Sequence, residues 1–226
     1  MENKSGKSRE TAANLANARA SASRGSATVE AIIRAAERLW GIHGIEGASL
    51  REIGVAAGSA NKSPVAYHFS NRNGLIVAIC RRREPALEVR RRALFVAAEA
   101  EGELGNTLRL LHAVFQPVFE EVDEDGRHTY AAFLRSLIRF PSFDGRAMTQ
   151  DLTPTGYRVL DLLREQASHL PQPLFDARLR LVNQICYAAI TDLDEVHGEK
   201  PIDPPLANKI FDDALSASAH LLLLHG

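Results

Sequence analysis

Lys62, Ser63, Tyr67, His68 and Arg72 fall within one short stretch of the chain, and their side chains suit contact with a polyanion. An ammonium and a guanidinium answer phosphate, while a hydroxyl, a phenol and an imidazole exchange hydrogen bonds with base edges or sugars. If Asn61 caps a helix whose first turn is Lys62-Ser63-Pro64, the missing N–H of proline costs little there. At about 100° per residue, Val65 and Phe69 then share one face and Ser63 and Tyr67 the other, with Ala66 beside Tyr67. The first pair is expected to be core. The second is expected to face a DNA major groove, with Lys62 near phosphate.

Two earlier elements must position that helix. Thr28 reads as the N-cap of a helix that buries Ile32, Ala35, Ala36, Leu39 and Trp40 at helical spacing, and Gly41 and Gly44 read as its end. Ser49-Leu50-Arg51-Glu52 is a capping box, which opens a short second helix with Leu50 and Ile53 turned inward and Gly58 as its stop. Together the three make a helix–turn–helix. Residues 1–26 are rich in Ser, Ala, Asn and basic groups and lack spaced large hydrophobes, so a flexible basic arm is expected there.

The net charge of −1 hides an asymmetry. Up to Arg92 there are sixteen Lys and Arg against eight acids, leaving the remainder of the chain at about −9. A basic front end that coincides with a helix–turn–helix suits DNA, because phosphate neutralisation supplies most non-specific affinity. Arg81-Arg82-Arg83 and Arg90-Arg91-Arg92 are expected to form a solvated helix face that raises the local potential. No apolar run approaches membrane-spanning length and the N-terminus is polar, which places the expected location in the cytoplasm, without a membrane partner. Cys80 and Cys186 lack any Cys-x-x-Cys spacing and are expected to be buried thiols, with no metal or cofactor implied.

Beyond the front end every periodic segment reads helical, so the fold class is all-α. A long helix is expected from Asn71 to about Glu99, bent or locally broken near Pro85. Helices are predicted over Asn106–Val122, Arg127–Arg139, Phe143–Asp151, Pro154–Ser168, Leu174–Val196 and Pro204–Leu224, with Thr153-Pro154 and Asp203-Pro204 as cap-then-proline starts. The last two carry apolar stripes wider than one core contact requires. Leu181, Ile185 and Ala188 neighbour Val182, Cys186, Ala189 and Leu193, and Ile210, Ala214, Ala217 and Leu221 neighbour Phe211, Leu215, Ser218 and Leu222. A four-helix interface between two copies is the simplest arrangement, with Leu181, Ile185, Ala188, Ile210, Ala214, Ala217 and Leu221 in it; a central pair inside a monomer is the alternative. His112, Phe115, Phe119, Tyr130, Phe133, Leu134, Leu137 and Tyr157 are candidates to line an apolar cavity in the middle helices, and each could equally be plain core. The acids Glu120-Glu121 and Asp123-Glu124-Asp125 read as a solvated helix end.

Three groups of residues resemble the TetR (tetracycline repressor) family of transcriptional regulators: Ile33-x-Ala35-Ala36-x-x-Leu39-Trp40-x-x-x-Gly44, Ser49-Leu50-Arg51-Glu52-Ile53-x-x-Ala56-Ala57-Gly58, and Tyr67-His68-Phe69-x-x-Arg72-x-x-Leu75. The resemblance covers about the first third of the chain. It implies a three-helix DNA-binding domain at 27–72 and a larger helical domain for effector binding and dimerisation at 73–226. It also implies a homodimer on a palindromic operator of double-stranded DNA, and a small effector. Two departures stand out. The turn Gly58-Ser59-Ala60-Asn61 is one residue longer than the family's, and Val65-Ala66 stand where Leu-Tyr is usual, with Tyr67 displaced by one. Arg72 fills a position that in the family often touches phosphate. The full DNA-facing set expected is Arg24, Thr28, Ser49, Asn61, Lys62, Ser63, Ala66, Tyr67, His68 and Arg72.

The function expected is a ligand-responsive transcriptional regulator, a repressor released by a small and largely apolar effector. A structural DNA-binding protein without effector is one alternative, to be distinguished by a sealed core. An all-helical enzyme is the other, and the chain has no phosphate loop, Gly-x-Ser-x-Gly, His-Glu-x-x-His or dinucleotide fingerprint to favour it.

Overall fold

A computed structural model describes residues 25–58, 64–140, 142–195 and 202–224. Among the described residues the regular structure is helical throughout. The first helix, α1, covers residues 25–43 and ends where Gly44 takes φ +83°, a conformation that costs glycine little. It starts ahead of Thr28, which is therefore inside the helix and not its cap. Gly41 is also helical and does not end it. A Cβ there would stand 3.1 Å from the Ala132 Cβ, so the glycine permits α1 to lie close against the helix that carries Ala132.

The capping box of α2 (Leu50–Ala56) is formed as expected. The Ser49 N–H donates to Glu52 Oε2 at 2.8 Å and the Glu52 N–H donates to Ser49 Oγ at 3.2 Å, satisfying two first-turn donors. The short α3 (Pro64–Phe69) turns directly into α4 (Arg72–Ala100) through Ser70, a non-glycine residue at φ 62°. Asn71 caps α4 by accepting from the Gly74 N–H at 2.9 Å. Glycine at 74 is a steric requirement, because a Cβ there would lie 2.1 Å from the Phe69 carbonyl oxygen.

Helix α4 runs unbroken through Pro85, against the expectation of a possible break. There follow α5 (Thr107–Glu120), α6 (Thr129–Leu137), a five-residue α7 (Gly145–Thr149), α8 (Pro154–Gln166), α9 (Gln172–Glu195) and α10 (Pro204–Leu223). Thr153 and Asp203 precede the proline starts, but neither side chain caps its own helix. At α8 the work is done from outside: the Thr155 N–H donates to Glu88 Oε1 of α4 at 2.8 Å. Arg178 of α9, almost fully buried, donates to the carbonyls of Leu222 and Leu224 and so satisfies the end of α10.

One apolar core runs through the chain. Ile32, Ala36, Trp40, Ile53 and Val65 from the front helices join Leu75, Ile76 and Ile79 of α4, and the cluster continues through Leu111, Phe133, Val159, Val182 and Phe211. The Trp40 indole donates to the Ala48 carbonyl at 3.0 Å and stacks on Phe133 of α6 with centroids 6.4 Å apart. Helix α4 packs on α5, on α8 and on α3, and α6 packs on α9 and meets α1 through Trp40 and Phe133, so α4 and α6 both join front to rear.

Candidate functional site

The front end presents α3 on its outside. Val65 is buried and Phe69 packs against the core, whereas Tyr67 is 85% exposed. Among the described residues its ring meets the edge of the exposed His68 ring, with centroids 5.0 Å apart. Ala66 lies in the same helix. Arg72 opens α4, half-buried, with a buried Nε that has no hydrogen-bond partner among the described residues. Ser49 is exposed but its hydroxyl is engaged in the capping box, donating to Glu52 Oε2 at 2.7 Å. Thr28 is half-buried within α1. Arg24, Asn61, Lys62 and Ser63 lie outside the described residues.

The arginine runs of α4 are not the solvated face the sequence suggested. Arg83 clasps Glu37 of α1 in a bidentate pair, Nη2–Oε1 at 2.6 Å and Nε–Oε2 at 3.0 Å, and also reaches Glu121 at 2.5 Å. Arg82 pairs with Glu30 at 2.6 Å, and Arg90 with Glu120 at 3.0 Å. Only Arg81 and Arg92 of the six are exposed without such pairs among the described residues. Glu120, Glu121 and Glu124 are correspondingly ion-paired rather than merely solvated, Glu124 with Arg34 at 3.1 Å. Much of the front end's positive charge is thus balanced internally.

Behind the front end lies a cavity of about 290 Å³ between α4, α5, α6, α8 and α9. Of the eight candidate lining residues, Phe115, Leu134 and Tyr157 lie on its wall. The other five expected lining residues lie elsewhere. Phe133 is fully buried against Trp40 and Tyr130. Tyr130 is buried behind the wall, and its hydroxyl donates to Glu84 at 2.6 Å. Phe119 stacks on Phe211 at 4.4 Å, His112 meets Phe211 edge-on, and Leu137 packs on the core. Aromatic content alone could not separate cavity wall from core.

Sequence reading missed the cavity's polar wall. Glu84 and Arg91, two turns apart on α4, are 6% and 4% exposed, and Arg91 Nη1 lies 3.0 Å from both Glu84 and Glu88 carboxylates. It also donates to Thr153 Oγ1 at 2.8 Å. Burial opposes the charge on Arg91, but Glu84 and Glu88 outweigh it and hold its pKa above the ordinary value. Burial and the neighbouring Glu84 carboxylate raise the Tyr130 phenol well above its usual range. The spacing Glu84, Glu88, Arg91 was the available signal: one helix face with opposite charges, on a helix that must be buried on several sides. Cys80 and Cys186 are buried free thiols, as expected.

A short helix with an outward tyrosine and histidine, held by a capped helix before it and a long helix after it, defines a helix–turn–helix DNA-binding protein with a helical body. Residues 32–79 match the model of the bacterial regulatory proteins of the tetR family, so the front end is the DNA-binding domain of a TetR-family regulator and the chain is a DNA-binding transcriptional regulator. No curated protein matches the chain. Among the described residues no helix is long and apolar enough to cross a membrane.

Proposed function

We propose that the chain is a cytoplasmic, effector-released repressor that binds a palindromic operator as a homodimer, with Arg24, Thr28, Ser49, Asn61, Lys62, Ser63, Ala66, Tyr67, His68 and Arg72 on the DNA side. The observation that carries effector control is the adjacency of two contacts. Arg83 and Thr129 hold Glu37 of the DNA-binding domain, the Thr129 hydroxyl donating to Glu37 at 2.9 Å, while their sequence neighbours hold each other, Glu84 on the cavity wall and Tyr130 behind it. A molecule that moves Glu84 relative to Tyr130 therefore shifts the clasp on α1 by one residue's leverage. It changes DNA affinity only to the extent that it binds the two arrangements differently.

The dimer reading rests on α9 and α10. Val182, Cys186 and Ile190, with Phe211, Leu215 and Leu222, are buried within the protomer, whereas Leu181 and Ile185 remain 52% and 36% exposed. Ala188, Ile210 and Ala214 are half-buried and Ala217 is exposed, while Leu221 packs partly on the core, so among the described residues a second apolar stripe on each helix stays partly uncovered. The existence of a cavity weighs against a purely structural DNA-binding protein. The test is titration of the full chain against its own upstream intergenic DNA and against random duplex at one stated salt concentration. We expect a preference of at least about a thousandfold for the former. Equal affinity for both would refute specific regulation.

A further inference from the structure

Three consecutive residues at the start of α6 each meet a carboxylate on a different helix. His128 reaches Asp194 of α9, Thr129 reaches Glu37 of α1, and Tyr130 reaches Glu84 of α4. One helical turn thus touches the helix that carries an outer apolar stripe, the DNA-binding domain and the cavity wall.

His128 differs from the other two in having a second partner. The residue is 8% exposed, with Nδ1 2.9 Å from Asp194 Oδ1 and Nε2 3.1 Å from the Phe119 carbonyl oxygen of α5. Its backbone N–H donates to Asp194 Oδ2 at 2.7 Å. The ring stacks on Phe119, which stacks in turn on Phe211 of α10, so it cannot swing away without opening that stack. A carbonyl and an ionised carboxylate only accept, whereas a neutral imidazole has one N–H and one lone pair. Both contacts are therefore hydrogen bonds only when both ring nitrogens carry hydrogen. In the neutral ring, one nitrogen lone pair faces an oxygen.

The helix ends favour the same state. The Phe119 carbonyl is among the last four of α5 and Asp194 lies in the last turn of α9, so the ring stands at the negative ends of two helices. Charged groups on the surrounding elements are turned elsewhere: Glu120 to Arg90, Glu121 to Arg83, Asp123 to the Arg127 N–H, Asp192 to Arg135 and Asp212 toward His112. Among the described residues, Asp194 is the carboxylate in ion-pair reach of the ring. We propose that His128 is a proton sensor: protonated, it ties the ends of α5 and α9 to the first turn of α6, and deprotonated, it releases the Phe119 carbonyl and loosens the turn in which Thr129 holds Glu37. The tie is complete at low pH and is lost as pH rises, the proton passing to bulk water. Its consequence at DNA rests on the regulator reading above; its protonation chemistry does not.

The test follows the His128 ring nitrogens of the full chain by long-range proton–nitrogen NMR between about pH 5.5 and about pH 8.5, the span in which histidines change charge. Both nitrogens are expected to carry hydrogen at the acid end. Nε2 is expected to lose its proton as pH rises, because the carboxylate is the stronger acceptor and keeps the Nδ1–H. Asp194→Asn should move that step to lower pH. Affinity for the upstream intergenic DNA, read by anisotropy at both ends of the span, should change by about fivefold more in the wild type than in His128→Gln. Titration of His68 on the DNA side is common to both proteins and cancels. A ring that keeps one protonation state throughout, a neutral form protonated at Nε2, or an unmoved step in Asp194→Asn overturns the sensor. So do equal pH responses of the wild type and His128→Gln on DNA that both still prefer. Failure to prefer that DNA over random duplex at either pH, with the ring titrating as expected, instead overturns the regulator reading and supports the proton site.

Discussion

Arg91 shows how strongly one buried charge is tied to its neighbours. Its Nη1 serves Glu84, Glu88 and Thr153 at once, so Arg91→Ala leaves two carboxylates without their cation. We expect a loss of about 3–5 kcal/mol in urea-melt stability, well beyond what the deletion of exposed Arg92 would cost. The cysteines give a second residue-scale test. Burial pushes the Cys80 thiol up to about 12 and the Cys186 thiol up to about 11, so neither supplies thiolate near neutrality. Alkylation at pH 8 should therefore modify neither residue in the native protein and both after denaturation; rapid native labelling would contradict their burial.

Helix ends and helix contacts carry the element-scale predictions. Ser49→Ala removes one half of the α2 capping box, and a stability loss of about 1 kcal/mol is expected, with α2 exchanging its amide hydrogens faster. At the α3–α4 corner, Gly74→Ala would drive a methyl into the Phe69 carbonyl, so DNA affinity should fall because α3 must shift. The clasp on Glu37 is tested by Thr129→Val, which keeps shape and removes one hydrogen bond to a charged group. A cost of about 1.5–3 kcal/mol is expected. If effector control runs through this contact, the same variant should also show a smaller effector-induced change in DNA affinity, measured by anisotropy.

At the scale of the whole molecule, association and acid stability are the accessible observables. Ile185→Glu places a charge on the outer stripe of α9. On the proposed homodimer it should yield a monomer in sedimentation and weaken operator binding by about a hundredfold or more, because two half-sites would no longer be engaged together; a wild-type chain that already sediments as a monomer refutes the dimer. The pairs that bind α4 to its neighbours set the acid limit. Burial acts to raise the Glu30 carboxyl, but Arg34 and Arg82 prevail and hold it below 4.5, and the hydrogen bond from Arg90 does the same for Glu120. Both carboxyls have folded-state values below the unfolded one. Their contribution is therefore present above pH 4.5 and is lost as pH falls through the lower folded values, which a melting series between pH 6 and pH 3 would display.

Much of the architecture was legible in order along the chain because its signals are local. A cap such as Ser49, the stops at Gly44 and Gly58, and the apolar period through Ile32, Ala36 and Trp40 act over one or two turns, so helix order and the faces of α3 follow from neighbours in sequence. Thr28 misled because a helix continues upstream wherever nothing stops it, and a cap-forming residue inside the first turn leaves no different mark. What only the tertiary structure decided is which charges meet. Glu37 and Arg83 are 46 residues apart and Arg91 and Thr153 are 62 apart, and no periodicity within one helix reports such a pairing. The same holds for the cavity: Phe133 and Phe115 are alike as residues, and only the packing of α1 against α6 sends one to Trp40 and leaves the other facing open space.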